Sequence, residues 1–305
     1  MRVLHVFNWQ IKHIIEHLDK FKVALWDALL ISTLQPLMED TLNEHFCFWH
    51  PYQPVAFQIG NVFGTKEELI LLCNEAHKRG IKIIADVVLN HTAGRQEDTL
   101  LPHAKVEERL TSNPFFWKEK KLITNWDDRY QVTHYCMGLP GLEVSNYDLQ
   151  AIMFQFLNEY IACGVDGFRF DAAKCIATPS EGCDFWPRML EHLDRKDLVL
   201  CGEILNPKSM TILWEYSNYI DILTEAPRGI PLEKTFLCTY SHDNHFSDLP
   251  GMNLSYKSDE QLRREYVSQM NWPNIIYFPR NGLVDAIHPE IVSTNEKVKQ
   301  LRLGA

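Results

Sequence analysis

The chain has 305 residues, 46% hydrophobic and 23% charged, with 40 Asp plus Glu against 30 Lys plus Arg and a formal charge of −10. Such a composition suits a globular chain with a sizeable core and excludes extensive disorder. No basic stripe exists to displace counterions from phosphates, so nucleic acid is not an expected partner, and no run of about 18 apolar residues offers a membrane span.

The first nine residues are interrupted by polar side chains too early for a secretory leader. Val3–Phe7 is an apolar run, and Ile11, Ile14, Ile15 and Leu18 follow at helical spacing. Ala28–Ile31 is a second strand. Lys66–Arg79 reads as a helix with Leu69, Leu72, Cys73 and Ala76 on one face, stopped by Gly80. Ile81–Leu89, apolar except for Lys82 and Asp86, has the composition of a buried parallel strand. Between residues 92 and 145 the periodicity breaks down into a stretch holding Trp117, Trp126, several prolines and mixed charge. Helical period returns at Leu149–Cys163 and ends at Gly164. Strands follow at Gly167–Phe170, Leu198–Gly202, Tyr219–Leu223, Phe236–Tyr240 and Asn274–Phe278.

Eight strands alternating with helices predict an α/β fold, a closed (β/α)8 TIM barrel, with an open doubly wound sheet as runner-up. The expected organisation is a barrel of residues 1–91 and 146–305, with a small inserted subdomain at 92–145 as an excursion after the third strand. Only 40 positions separate Glu203 from Asp243, so the sixth helix should shrink to a loop around 227–232. Few residues follow the last strand, so no C-terminal β-sandwich is expected.

The eight cysteines, 47, 73, 136, 163, 175, 183, 201 and 238, form no C-x-x-C pair. They read as reduced, mostly buried thiols, which points to a cytoplasmic location. The glycosylation triplets at Asn90 and Asn253 read as accidental, the first because it falls among the chemistry-bearing residues.

Four strands end in groups that a buried strand would not choose: Asp86-x-x-x-Asn90-His91, Arg169-Phe170-Asp171-Ala172-Ala173-Lys174, Gly202-Glu203 and Ser241-His242-Asp243. Singly, each has a plain structural reading. Asp171 could cap a helix, Asp86 could bind backbone or Arg169, Glu203 could sit solvated on the rim, and His242 and His245 could be surface histidines. In a barrel, however, the C-terminal strand ends share one mouth. Asp171, Glu203 and Asp243 would then crowd together, and at least one should keep its proton near neutral pH. Paired carboxyls about 5–5.5 Å apart are what glycosidic cleavage with retention requires.

These motifs resemble the signature regions of the α-amylase family of retaining glycoside hydrolases. Leu139-Pro140-Gly141-Leu142-Glu143 resembles a further signature, and Trp49-His50-Pro51-Tyr52-Gln53-Pro54 resembles the family's aromatic platform. The resemblance implies Asp171 as nucleophile, Glu203 as general acid and base, and Asp243 as a transition-state stabiliser. Tyr52, His91, Arg169, Lys174 and His242 would contact substrate, with Arg169 keeping Asp171 ionised. It implies an α-1,4-glucan partner such as starch, glycogen or maltooligosaccharides. The alternatives are a glucanotransferase using the same intermediate and a degenerate, non-catalytic glucan-binding protein. Relatives carry a calcium ion between barrel and excursion. Here Gly141 stands where a ligating Asp is usual and Cys175 replaces a His, leaving Asn90 as the metal ligand, with Asp127 and Asp128 as further candidates. No cofactor is therefore expected to be required.

Overall fold

Eight short apolar runs pair as neighbours in chain order because each is followed by a return segment that brings the next strand alongside in parallel. The structure is a computed structural model that describes residues 1–43, 46–205, 209–226, 228–247 and 257–303, side chains of 246 and 247 excepted. Strands β1 (Arg2–Val6), β2 (Ala28–Ile31), β3 (Lys82–Val88), β4 (Gly167–Asp171), β5 (Val199–Glu203), β6 (Asp221–Thr224), β7 (Thr235–Leu237) and β8 (Ile275–Tyr277) form a closed parallel barrel. Closure is made by β1 on β8, with Val3 opposite Ile276 and Leu4 opposite Tyr277. The open-sheet alternative is thereby excluded.

Side chains alternate across every strand, which divides the apolar residues into two cores. Val3, Leu30, Ile84, Cys201, Leu223, Phe236 and Ile276 fill the barrel interior. Leu4, Leu29, Ile83, Phe168, Phe170 and Ile222 face outward under the helices. Each large side chain buried in this way contributes about 1.5–3 kcal/mol. Gly167 opens β4 because β5 runs against it: a Cβ there would fall 2.0 Å from the Val199 carbonyl oxygen.

The outer helices are α1 (Ile11–Val23), α2 (Lys66–His77), α3 (Tyr147–Cys163), α4 (Phe185–His192), α5 (Met210–Tyr216), α6 (Asp259–Ser268) and α7 (Pro289–Leu303). Thr65 and Glu68 form a capping box at the start of α2. The Asn146 side chain accepts from the backbone N–H groups of Asp148 and Leu149 to start α3, and Gly164, at φ 101°, ends it. Among the described residues, β6 reaches β7 through a single 3-10 turn, Leu232–Lys234, so the sixth helix is reduced as expected.

Two strand ends differ from the sequence reading by two residues or more. Tyr219 and Ile220 are apolar because they close the turn leaving α5, donating to the Tyr216 carbonyl, and β6 begins only at Asp221. Ladder pairing in β7 stops at Leu237, although Cys238 and Tyr240 stay buried. An apolar run reports burial, and burial outlasts pairing there. No disulfide joins the cysteines of the described residues, and all but Cys47 are buried. Asn90 is buried too, as an accidental glycosylation triplet would be, while the Asn253 triplet lies outside the described residues.

Asp221 starts β6 at the end of the barrel opposite the acidic strand ends, where burial, partly opposed by Lys234, raises its carboxyl to about 6. A carboxyl raised on folding costs nothing below its unfolded value near 4, and its penalty grows as pH rises through about 6. Asp221→Asn should therefore leave stability nearly unchanged at pH 4 and raise it by about 1–2 kcal/mol at pH 8, allowing for partial solvent screening. Thermal unfolding of both proteins at the two pH values checks this.

Candidate active site

Alternation along β4 sets the site. Phe168 and Phe170 point outward, the latter edge-on to Trp186 with ring centroids 5.5 Å apart, so Arg169 and Asp171 point inward. Strand register places Asp86 of β3 opposite Arg169, and pairs Phe170 with Gly202, one residue before Glu203. Arg169 Nη1 donates to Asp86 Oδ1 and Oδ2 at 2.9 and 3.0 Å and to Asp171 Oδ1 at 3.0 Å. Its Nη2 lies 2.8 Å from Glu203 Oε1. One fixed cation thus holds three carboxylates from three consecutive strands.

Arg169 is only 3% exposed and its charged nitrogens are committed to these acids. The sequence reading that set it among the sugar contacts is corrected: it lies beneath the cleft and positions the acids. Its expected effect on Asp171 is also outweighed. Burial and the neighbouring Glu203 push the Asp171 carboxyl well up, against the pull of Arg169. Burial raises Asp86 in the same way. Three acids against one cation leave excess negative charge in a medium of low polarity, and a retained proton relieves it.

Glu203 Oε2 accepts the backbone N–H of Ala172 at 2.9 Å. Ala172 has φ 46° and ψ 33°, a left-handed conformation that costs a non-glycine residue about 1 kcal/mol or more. This turn redirects the chain immediately after Asp171 and aims its N–H at Glu203.

Around this floor stands an aromatic wall. Tyr52 donates its hydroxyl to Asp86 Oδ2 at 3.0 Å, and its ring lies nearly parallel to His242 at 5.2 Å. His242 in turn stacks on Phe7 at 4.3 Å. His91 Nε2 donates to the Tyr52 carbonyl at 3.0 Å, and burial lowers the ring to about 4. Burial also holds His242 far below its ordinary value, so both imidazoles are neutral at neutral pH. Asp243, in the short helix His242–Ser247, lies 3.4 Å from His242 Nε2, and desolvation within the cleft raises its carboxyl.

Asp171, Glu203, Asp243, Tyr52, His91, Lys174 and His242 line one open cleft of about 440 Å³. Trp49 and Trp126 also stand in its wall, exposed, and Lys174 Nζ lies 4.6 Å from the Trp126 ring centroid. Trp126 was legible as an aromatic in an irregular stretch, but nothing in its spacing assigned it to the cleft. Ala172 was equally silent, since backbone handedness leaves no mark on an alanine.

The metal expectation fails on the donor set. Asn90 Oδ1 accepts from the Lys118 ammonium at 2.7 Å, so the ligand expected for a cation is engaged by one already in the chain. Asp128 Oδ1 is spent capping the helix Arg129–His134, and Asp127 is exposed. A hard ion seeking six to eight oxygens does not fit these residues. Among the described residues, the group of His, Cys, Asp and Glu side chains close enough to share an ion is His13, Glu16 and His17, on the outer helix α1.

A family model described as alpha amylase, catalytic domain, matches residues 11–221. An alpha-amylase of Clostridium acetobutylicum is 30% identical over 236 residues, covering 74% of this chain and 31% of that protein. One from Butyrivibrio fibrisolvens is 27% identical, covering 75% and 26%. The chain therefore spans about a third or less of these relatives' length. In fold it resembles the alpha-amylases of Anoxybacillus, with TM-score 0.74 at 17% identity over 99% of this chain and 78% of that one, and of Malbranchea cinnamomea, with 0.75 at 15% over 100% and 78%. With barrel topology, the ordered acidic strand ends and the catalytic-domain match in agreement, the chain belongs to the alpha-amylase family.

Proposed function

We propose that this protein is a retaining α-glycoside hydrolase acting on α-1,4-glucans such as starch, glycogen or maltooligosaccharides. The observation that carries the reading is the attachment of Asp171 and Glu203 to the same guanidinium, at the ends of adjacent strands under an aromatic-walled cleft. Attachment to neighbouring nitrogens of one guanidinium favours the short carboxyl separation of retaining enzymes, about 5–5.5 Å, over the roughly 6.5–9.5 Å of inverting ones. The segment 92–145 acts as a small subdomain supplying one wall, through Trp126, Met137, Gly138 and Leu139.

In the first step an Asp171 carboxylate oxygen attacks the anomeric carbon while Glu203 gives its proton to the glycosidic oxygen. The carbon–oxygen bond breaks and a glycosyl–Asp171 ester remains. In the second step Glu203 takes a proton from water, the water oxygen attacks the anomeric carbon, and Asp171 leaves as carboxylate. The first step requires the proton on the acid and an ionised Asp171, whose charge Arg169 stabilises. Asp243 binds ring hydroxyls and favours the distorted, cation-like sugar. Tyr52 presents its ring to the sugar face, and neutral His91 and His242 serve as hydrogen-bonding groups. Lys174 and Trp126 reach the leaving-group side. The mostly buried thiols, joined by no disulfide among the described residues, favour a reducing compartment, and we place the protein in the cytoplasm.

Asp171→Asn should lower turnover by several orders of magnitude on every glycoside, with unchanged circular dichroism. Glu203→Gln should lose starch hydrolysis to a similar degree yet keep far more of its first-step rate, read as the initial burst of fluoride, on a glycosyl fluoride, whose departure needs no proton. Equal losses on both substrates would reverse the assignment of acid and nucleophile.

Incubation with maltoheptaose followed by product sizing and anomer analysis should yield shorter α-anomers. Products longer than seven units would instead establish transfer to a sugar hydroxyl. Binding without turnover would establish the non-catalytic reading.

A further inference from the structure

Lys118 lies in the connection between β3 and α3, only 6% exposed. Its ammonium donates to Asn90 Oδ1 at 2.7 Å and to the Cys175 carbonyl oxygen at 2.8 Å. Asn90 follows β3, and Cys175 ends the 3-10 turn Ala173–Cys175 that follows β4. One ammonium thus joins the connection to the ends of two barrel strands, immediately beside His91 on one and the Asp171 turn on the other.

Gly141 completes the arrangement. The Lys118 backbone N–H donates to the Gly141 carbonyl at 2.9 Å, and the Leu142 N–H donates to the Asn90 carbonyl at 2.7 Å. A Cβ on Gly141 would fall 2.8 Å from Lys118 Cδ. The absence of a side chain at 141 is therefore what admits the lysine stem. Residues 90, 141 and 175 are the three positions from which the family resemblance expects oxygen ligands to a calcium ion. Here Gly141 offers no carboxylate, and the other two offer their oxygens to an ammonium. A divalent ion on the same oxygens would lie beside a fixed positive charge and lack a neutralising carboxylate.

We propose that the Lys118 ammonium is a chain-borne substitute for the bridging metal ion, so that the connection docks on the barrel without calcium. A buried ammonium is costly unless its donors are satisfied, and the two carbonyl-type oxygens it engages are the compensation. The nearby Glu143 carboxylate adds electrostatic support. The lysine and the glycine act as a pair: neither substitution accommodates the other's alternative alone.

Thermal unfolding of the intact protein, in EGTA and in millimolar calcium chloride, tests this directly and needs no substrate. The wild type should melt at the same temperature in both. A fall of roughly 10 °C or more in EGTA overturns the proposal, because a site that binds calcium in the folded state alone must show such a dependence. Lys118→Met, which keeps the stem and removes the charge, should melt several degrees lower; an unchanged melting temperature overturns the proposal. The double variant Lys118→Ala, Gly141→Asp should acquire a calcium-dependent rise of about 5 °C or more. A double variant that folds but ignores calcium shows that these oxygens do not constitute an ion site, and also overturns it. If the double variant does not fold, the wild-type and Lys118→Met measurements decide.

Discussion

Arg169 sits inside the barrel with its two terminal nitrogens shared among Asp86, Asp171 and Glu203. A guanidinium so buried must be paired on every side, because an uncompensated charge there would cost several kcal/mol. The same demand works in reverse on the acids: three carboxylates converge on this point only because a fixed cation lies between them. Arginine suits the task better than lysine, since its planar fork serves two directions at once and it does not lose its proton. The geometry of β3, β4 and β5 at the barrel mouth therefore depends on this one side chain.

Such an arrangement carries a tension that suits acid chemistry. Burial and mutual repulsion raise Asp171 and Asp86 while Arg169 draws them down. The cluster as a whole therefore favours keeping one proton among its carboxyls. Around it the histidines contribute no charge. They are locked in stacked or backbone-bonded positions, and their neutrality leaves the electrostatics of the cleft to the acids and to Arg169.

A second internal cation, Lys118, repeats the principle at the junction of barrel and connection. In both places a positive side chain does what a short apolar contact cannot, gathering oxygen atoms from segments far apart in sequence. Ala172 adds a third constraint, a strained backbone turn whose N–H meets Glu203, so the acid is held by a residue with no polar side chain of its own.

Much of this was written in the sequence. Apolar runs of four to nine residues separated by helical period determined eight strands and their parallel pairing, because burial patterns are local. Polar residues ending those runs determined which acids would meet, since every parallel strand of a barrel ends at the same mouth. Local pattern could not reveal partners. That Arg169 faces acids rather than sugar depends on register between β3, β4 and β5, and that Lys118 reaches Asn90 depends on how an irregular connection folds back. Trp126 likewise enters the cleft through that connection, whose course no periodicity encodes. Contacts across such distances in the chain are chosen by packing as a whole, and there the tertiary structure alone decides.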